Sequence, residues 1–448
     1  MFYDAFFRRP RPPVKLARGT RADVRTCRPI TRTLLVEALE DRRMLADEWI
    51  PYVPPPDDVV DLHVAWDGGS ATATLDFVMY GYEDVTDWGQ VAQAGNNLSA
   101  DLTVWRWTGI PPAWAMIVQH EYDLGNLAPG NYDFLLTAWG FALSEVGFTI
   151  PNPTTFNGTS GDDVFAFSTD GTNHLVTVTV AGQPTQNYTY LASDPVTFTF
   201  NGLGGNDTIT IIGGEGDDAA YVGQTGKGTV KVLGTGYTVN GSNLETIAVQ
   251  AGGGTSQTAK LWDTRGNDIF TARYREATMT DDTASYNYSV SGFDLIYAYK
   301  NNFGTDQAHF YDSPGTDTFA VKPYAQHAYM SGPGFWNYAS GFAKYYGYST
   351  AGGSDFSHLY DSKGDDVYKA WANRDAQVHT PTIDAFAYGF AWNYGRFTAG
   401  GANDVAYLYD SSGDDTFFGQ ALGRLCLSHA AEFLPTARLR LLELRHGL

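Results

Sequence analysis

Four stretches decide the fold: LWDTRGNDIF from Leu261, FYDSPGTDTF from Phe310, LYDSKGDDVY from Leu359 and LYDSSGDDTF from Leu408. Each begins 49 residues after the one before. Asp263, Asp312, Asp361 and Asp410 therefore recur in step. So do Gly266, Gly315, Gly364 and Gly413, and Asp268, Asp317, Asp366 and Asp415. A fixed period of this size signals an array of small stacked or radial units rather than one globular core. An array offers a long surface, which favours binding or mechanical roles over a single deep catalytic pocket.

Upstream of these stretches the pattern loosens. Leu244-Glu245-Thr246-Ile247-Ala248 aligns with Phe293-Asp294-Leu295-Ile296-Tyr297 one period on. Gly-Asp or Gly-Asn-Asp corners also occur in GTSGDDVF from Gly158, GLGGNDTI from Gly202 and GGEGDDAA from Gly213. The repeat domain is thus expected over 155–420, regular from about 214. Each unit holds five or six short apolar-alternating runs between Gly-rich corners, which predicts an all-β chain. A parallel β-helix fits a 49-residue unit as two rungs; a four-stranded β-propeller blade is the alternative. In the β-helix reading Phe270, Phe319, Tyr368 and Phe417 point inward, with Ile247, Ile296 and Tyr345.

The ends differ from the array. Residues 1–48 are an Arg-rich leader with 11 basic and 7 acidic residues, and 49–58 form a Pro-rich linker. From 59 to 152, runs such as ATATLDFVMYG and LTVWRW alternate apolar and polar residues between turn clusters, which predicts an antiparallel β-sandwich. Its closing phrase LAPGNYDFLLTAWGFALSEVGFTI resembles the last two strands of Ig-like or fibronectin-like modules. Trp66, Trp105, Trp107 and Trp114 are expected mostly in its core. Residues 421–448 are basic and Leu-rich, and read either as an end cap or as the product of a shifted reading frame.

Charge and cysteine content narrow the function. The middle of the chain, 49–420, keeps 14 basic and 41 acidic residues, a net charge of −27. Such a body repels nucleic acid and anionic membranes and attracts cations. The two cysteines, Cys27 and Cys426, lie in the atypical ends, so no disulfide framework is expected. No run of 18 apolar residues exists, so no transmembrane helix is expected.

Leu39-Glu40-Asp41-Arg42-Arg43-Met44-Leu45 resembles the LEPR-XLL motif of exported planctomycete-type proteins, with Asp41 in place of Pro and Met44 in place of Leu. The LYDSxGDDxF units, with Gly352-Gly353-Ser354-Asp355 upstream of one copy, resemble a repeat of planctomycete surface proteins. These resemblances imply an exported cell-surface or extracellular protein with a structural or adhesive role. The Gly-Asp corners also resemble the calcium-binding GGxGxDxUx pattern of RTX-type β-rolls. That resemblance implies calcium as a cofactor at Asp163, Asp207, Asp217, Asp218, Asp268, Asp317, Asp366 and Asp415. Turn formation alone is the competing reading of the same aspartates, because Asp caps tight turns.

Surface glycans and cell-envelope proteins are the expected partners. Tyr297, Tyr299, Tyr345, Tyr346, Tyr348, Trp392 and Tyr394 cluster within the unit; they form a sugar-binding ladder if exposed and are simply core if alternate ones are buried, the latter being the favoured expectation. The alternative function is a β-helical polysaccharide lyase or hydrolase. Catalytic residues are expected to be singular in a repeat, whereas these aspartates recur; none is assigned a catalytic role.

Overall fold

The computed structural model describes residues 48–411 apart from 110–113, 302 and 410. The leader before residue 48, the tail and the Asp415 corner lie outside the described residues. Among those residues the regular structure is β, with two single-turn 3-10 segments at Pro56–Asp58 and Pro323–Ala325.

Residues 48–150 build two sheets around one core. Val59–Trp66, Ala71–Tyr80 and Ala115–Gly125 form an antiparallel three-stranded sheet. Asn97–Trp107, Gly130–Ala138 and Phe141–Ile150 are the long strands of the second sheet, and the first two of these run parallel, so this sheet is not wholly antiparallel, contrary to the expectation from alternation. Leu75 and Phe77 from one sheet meet Leu102, Val104, Phe134 and Leu136 from the other. Trp66, Trp105, Trp107 and Trp114 are not in this core: Trp66 and Trp114 are exposed, and Trp105 and Trp107 are half-buried. Strict alternation lets the small aliphatic residues and Phe fill the narrow space between the sheets, and the larger indoles fall on the outer positions.

From Thr155 onward the chain winds between two long sheets, one of 12 strands (sheet 1) and one of 14 (sheet 2). It visits each sheet eight times, giving a parallel β-solenoid of about eight turns. The propeller is not what forms. Nor is the rung three-sided with two rungs per unit. In one unit, Asp268–Arg273, Glu276–Asp281 and Asn287–Ser291 form an antiparallel meander in sheet 2. The chain then crosses to sheet 1 for Leu295–Tyr299 and returns to sheet 2 for Gln307–Tyr311. The next unit puts its meander, Thr318–Lys322, His327–Gly332 and Phe335–Ser340, in sheet 1. Each unit therefore makes one and a half turns, and successive units exchange sheets.

The cause is the back-folded meander. Its third strand pairs with the preceding turn and its first with the following one: Asn287–Ser291 lies beside Thr246–Gln250, and Asp268–Arg273 beside Gln307–Tyr311. Two extra strands are thus inserted without an extra crossing. The same five-strand plan begins at Val164–Thr169 and Ala219–Val222, so the irregular entry carries it too. Five strands shared between two sheets at ~4.8 Å per strand advance the solenoid by roughly 12 Å per unit.

One continuous core fills the space between the sheets. Phe270, Phe319, Tyr368, Ile247, Ile296 and Tyr345 are all buried, as alternation requires. Phe270, Phe319 and Tyr368 do not form one column, because they come alternately from sheet 2, sheet 1 and sheet 2. Gly347 and Gly395 sit opposite two of these rings: a Cβ at Gly347 would lie 2.4 Å from Phe319, and one at Gly395 3.0 Å from Tyr368.

Candidate functional site: the aspartate corners and the aromatic face

Each unit starts its meander with a buried aspartate: Asp163, Asp218, Asp268, Asp317 and Asp366. The backbone N–H of each donates to a side-chain oxygen one turn on. The acceptors are Asp207 Oδ1 (2.8 Å), Gln257 Oε1 (2.7 Å), Asp306 Oδ1 (2.9 Å), Asp355 Oδ1 (2.8 Å) and Asp404 Oδ1 (3.0 Å). These staples tie consecutive turns at the point where the chain leaves one sheet for the other. Because units exchange sheets, the staples alternate between the two edges of the solenoid rather than forming one acidic column.

The carboxylates of the first aspartates are used as well. Asp317 accepts the Ser313 N–H at 2.8 Å, and Asp366 accepts the Ser362 N–H at 2.7 Å. The Ser313 and Ser362 hydroxyls point to the same carboxylates. This is why Ser or Thr follows the leading Asp of the corner. The leading Asp itself caps the next turn: Asp263 accepts from Asn301 N–H (2.7 Å), Asp312 from Thr350 N–H (2.9 Å), and Asp361 from Thr398 N–H (2.8 Å). Tyr237 donates to Asp218 at 2.5 Å, and Tyr286 donates to Asp268.

Close stacking of the corners fixes the glycines. A Cβ on Gly304 would lie 1.6 Å from the Gly266 carbonyl oxygen, and one on Gly353 1.9 Å from that of Gly315. Both residues also have positive φ, at +145° and +97°. Only glycine satisfies both conditions.

Of the aspartates selected from sequence, Asp163, Asp207, Asp218, Asp268, Asp317 and Asp366 are buried corner residues. Asp217 is exposed and accepts the Thr255 and Ser256 amides at 2.7 and 2.9 Å. The one place where three acidic groups converge within 4.8 Å among the described residues is Asp263, Asp268 and Asp306. Asp263 and Asp306 were not among the sequence-selected ligands, although both lie at repeated positions. Calcium takes six to eight oxygens. The triad offers three carboxylates and the nearby Thr264 hydroxyl, which donates to Asp268 at 3.1 Å. A cation is already present, however: Lys300 Nζ lies 2.7 Å from Asp306 Oδ2.

At the positions equivalent to this triad the two following units carry Asp312, Asp317 and Asp355, and Asp361, Asp366 and Asp404, with Ser349 and Thr398 in place of Lys300. Ser349 donates to Asp355 at 2.6 Å. Burial pushes Asp317, Asp355 and Asp366 above the usual carboxylate range, and neighbouring carboxylates add to it. Asp404 is pushed up to about 6 by burial and then by Asp366, Asp361 and Asp365. Asp207, Asp218 and Asp268 are raised by burial as well.

The outer faces of the two sheets differ. On sheet 1, Lys260 lies in register between Tyr221 and Tyr297, and the row continues through Tyr338 and Tyr329. A neighbouring row places Trp262 beside Tyr299, and another places Phe356 beside Trp392. All of these are half-buried. The rings stack on one another: Trp262 on Tyr299 at 5.3 Å, Tyr329 on Trp336 at 4.4 Å, and His358 on Tyr394 at 4.9 Å. Of the expected aromatic ladder, Tyr297, Tyr299, Trp392 and Tyr394 face outward on sheet 1, and Tyr346 and Tyr348 face outward on sheet 2. Tyr345 is core, because it is one residue out of phase with Tyr346. Sheet 2 has outward stacks of its own, such as Tyr346 on Phe386 and Tyr348 on Tyr388, and also a hydroxyl-rich hollow lined by Thr210, Thr271, Thr278, Ser289, Glu276 and Arg273.

His309 and His358, equivalent one period apart, are both half-buried. His309 stacks on Tyr346 at 4.5 Å. Arg396 Nε donates to His358 Nδ1 at 2.9 Å, and burial followed by that guanidinium pushes His358 down to about 4. His358 is thereby held neutral. No family model, curated protein or solved structure matches the chain.

Proposed function

We propose that the protein is a non-enzymatic, exported cell-surface or extracellular solenoid with a structural or adhesive role. The observation that carries this reading is the corner staple. In each unit a side chain of the neighbouring turn, an aspartate in four units and Gln257 in the other, accepts the backbone amide of the buried corner aspartate, which makes a continuous rod with two broad outer faces. Carboxylates engaged in this way build turns rather than transfer protons. The LEPR-XLL-like segment supports export, and the closing strands of 59–152 support an Ig-like module preceding the rod. Calcium stabilisation is proposed for the Asp263–Asp268–Asp306 triad alone, on the convergence of its three carboxylates.

The test is co-sedimentation of the full chain with insoluble cell-envelope polysaccharide, with reducing ends measured in the same tubes. Binding without new reducing ends is expected. New reducing ends would replace this reading with the polysaccharide-active enzyme, and absence of binding would remove the adhesive role.

A further inference from the structure

Among the 12 strands of sheet 1 there is no Asp or Glu, in a chain of net charge −21. The same strands carry Lys231, Lys260, Lys322 and Arg396. Sheet 2 does not share this property: Asp268, Glu276, Asp281 and Asp384 lie in its strands. The acid-free face is therefore a feature of one side of the rod and not of the repeat as such.

The cations on this face are not paired with carboxylates among the described residues. Lys260 lies over Tyr221 at 5.6 Å, Lys322 over Tyr329 at 5.8 Å and over Tyr360 at 5.6 Å, and Arg396 over Tyr360 at 5.8 Å and over Tyr394 at 5.4 Å. Arrayed on aromatic rings, they stand ready for an anion from outside. Tyr297 lies parallel to Tyr299 and Tyr329 to Trp336, while Tyr297 and Tyr338 are tilted by 54°. The face thus combines aromatic rings, phenol hydroxyls and positive charge. The hydroxyls of Tyr297, Tyr338, Tyr329 and Tyr360 make no hydrogen bond within the described residues.

We infer that the outer face of sheet 1 docks an anionic, carboxylate-bearing polysaccharide. The inference deepens the adhesive reading and rests on it. The chemistry matches on three counts. Carboxylates meet Lys260, Lys322 and Arg396; sugar hydroxyls meet the phenol hydroxyls; and the flat rows run along the rod, so a linear polymer engages several turns at once. The acidic remainder of the body repels such a polymer, but at physiological salt that repulsion is screened beyond about 8 Å, so contacts on this face dominate once the chain is seated. The same repulsion disfavours the other faces and orients the polymer to sheet 1.

The experiment uses the full chain and polygalacturonate, with the fully methyl-esterified polymer as the uncharged control, followed by affinity electrophoresis and calorimetry at two salt concentrations. Binding to polygalacturonate that weakens with salt, and at least tenfold weaker binding to the ester, is expected. Lys322→Gln with Arg396→Gln should weaken binding about tenfold, and Lys260→Gln alone several-fold, in line with rim charges of modest individual worth. Circular dichroism melts confirm that each variant folds. Equal binding to both polymers, or variants that bind like the parent, would overturn the inference. Self-association through this face, seen by light scattering and abolished by the same substitutions, would also overturn it, making a second copy the occupant. Sedimentation with envelope material that is untouched by these substitutions would overturn the docking face while leaving the adhesive reading intact.

Discussion

Lys300→Ser gives the first triad the composition of the second. Lys300 Nζ sits 2.7 Å from Asp306 Oδ2, and Asp306 is fully buried. The lysine side chain is only 21% exposed, and it also donates to the Gly304 carbonyl at 2.6 Å. Removing one partner of a buried pair costs roughly 3–5 kcal/mol, because the remaining charge is left uncompensated. The low end applies here, since the ammonium is partly hydrated and the next unit tolerates Ser349 at the same position. About 3 kcal/mol lowers the melting temperature of an array of this size by roughly 6–12 °C.

The assay is calorimetry of the full chain near neutral pH, with hydrogen exchange to locate the loss at the corner around Asp268. The effect carries a pH signature. Asp268 lies in the same triad, and burial raises its folded-state pKa. A carboxyl raised in the fold favours the protonated form there. Its contribution is fully present below the unfolded value of about 3.9 and is lost as pH rises through the folded value. Acidification that protonates Asp268 removes a negative charge close to the one Lys300 offsets, so the gap between parent and Lys300→Ser should narrow as pH falls. Millimolar calcium tests the triad as a metal site: recovery of the lost melting temperature supports it, and a flat response removes it. A variant melting within about 1 °C of the parent, with a gap independent of pH, would refute the counter-charge reasoning.

Three further outcomes follow from the corners. Gly353→Ala should unfold the unit locally, because its Cβ would fall 1.9 Å from the Gly315 carbonyl at a φ of +97°; proteolysis near residue 353 reports it. Asp404→Asn keeps an acceptor for the Asp366 amide but removes a carboxyl pushed up to about 6. By the same sign, the variant should be more stable than the parent above pH 6 by about 1–3 kcal/mol and equal to it near pH 4, as read by urea unfolding at both values. His358, pushed down to about 4, should show neutral imidazole resonances by NMR down to about pH 5. A base depressed in the fold loses stability as pH falls from its unfolded value near 6.5 toward the folded one, so His358→Gln should flatten the acid limb of the stability curve.

The repeat class was legible because the corner residues meet constraints that only a few side chains satisfy. Gly304 and Gly353 must lack a Cβ, and Asp268, Asp317 and Asp366 must accept an amide four residues back. The inward phase of Phe270, Phe319 and Tyr345 was legible for the same reason, since strict alternation leaves one choice. The number of sheets was not. A strand that folds back, such as Glu276–Asp281, has the same alternation as one that continues round the coil. Only pairing partners distinguish them: Glu276–Asp281 pairs antiparallel with its chain neighbours Asp268–Arg273 and Asn287–Ser291, whereas a strand that continues the coil, such as Gln307–Tyr311, pairs parallel with Asp268–Arg273 a full turn away. Lys300 was missed because its significance depends on Asp306 across a corner, and the equivalent positions hold Ser349 and Thr398. The chemistry of the outer faces was half-visible: the tyrosines stand out in the sequence, but not that Tyr345 and Tyr346 part company, nor that acids avoid the strands of one sheet.

The half-integral turn count makes the two sheets equivalent in strand plan, so their unlike faces come from differences between units. Were each unit a whole number of turns, every meander would fall in the same sheet and the two faces would differ in every unit; with units that exchange sheets, identical units would give both faces the same residues. With one and a half turns, Ala219–Val222 and Thr318–Lys322 open meanders in sheet 1, whereas Val164–Thr169, Asp268–Arg273 and Val367–Trp371 open them in sheet 2. The staples are indifferent to this exchange, because they act at edges that both kinds of unit share. Outward positions are free to differ between alternate units, and they do: Glu276 of one meander corresponds to the neutral or basic outer positions of the next, where Lys322 faces His327. Corner chemistry therefore sets stability, and outer-face chemistry sets what the rod can bind. The two can be changed separately, so substitutions at Lys322 or Arg396 are expected to alter binding while leaving the staples of Asp317 and Asp366 in place.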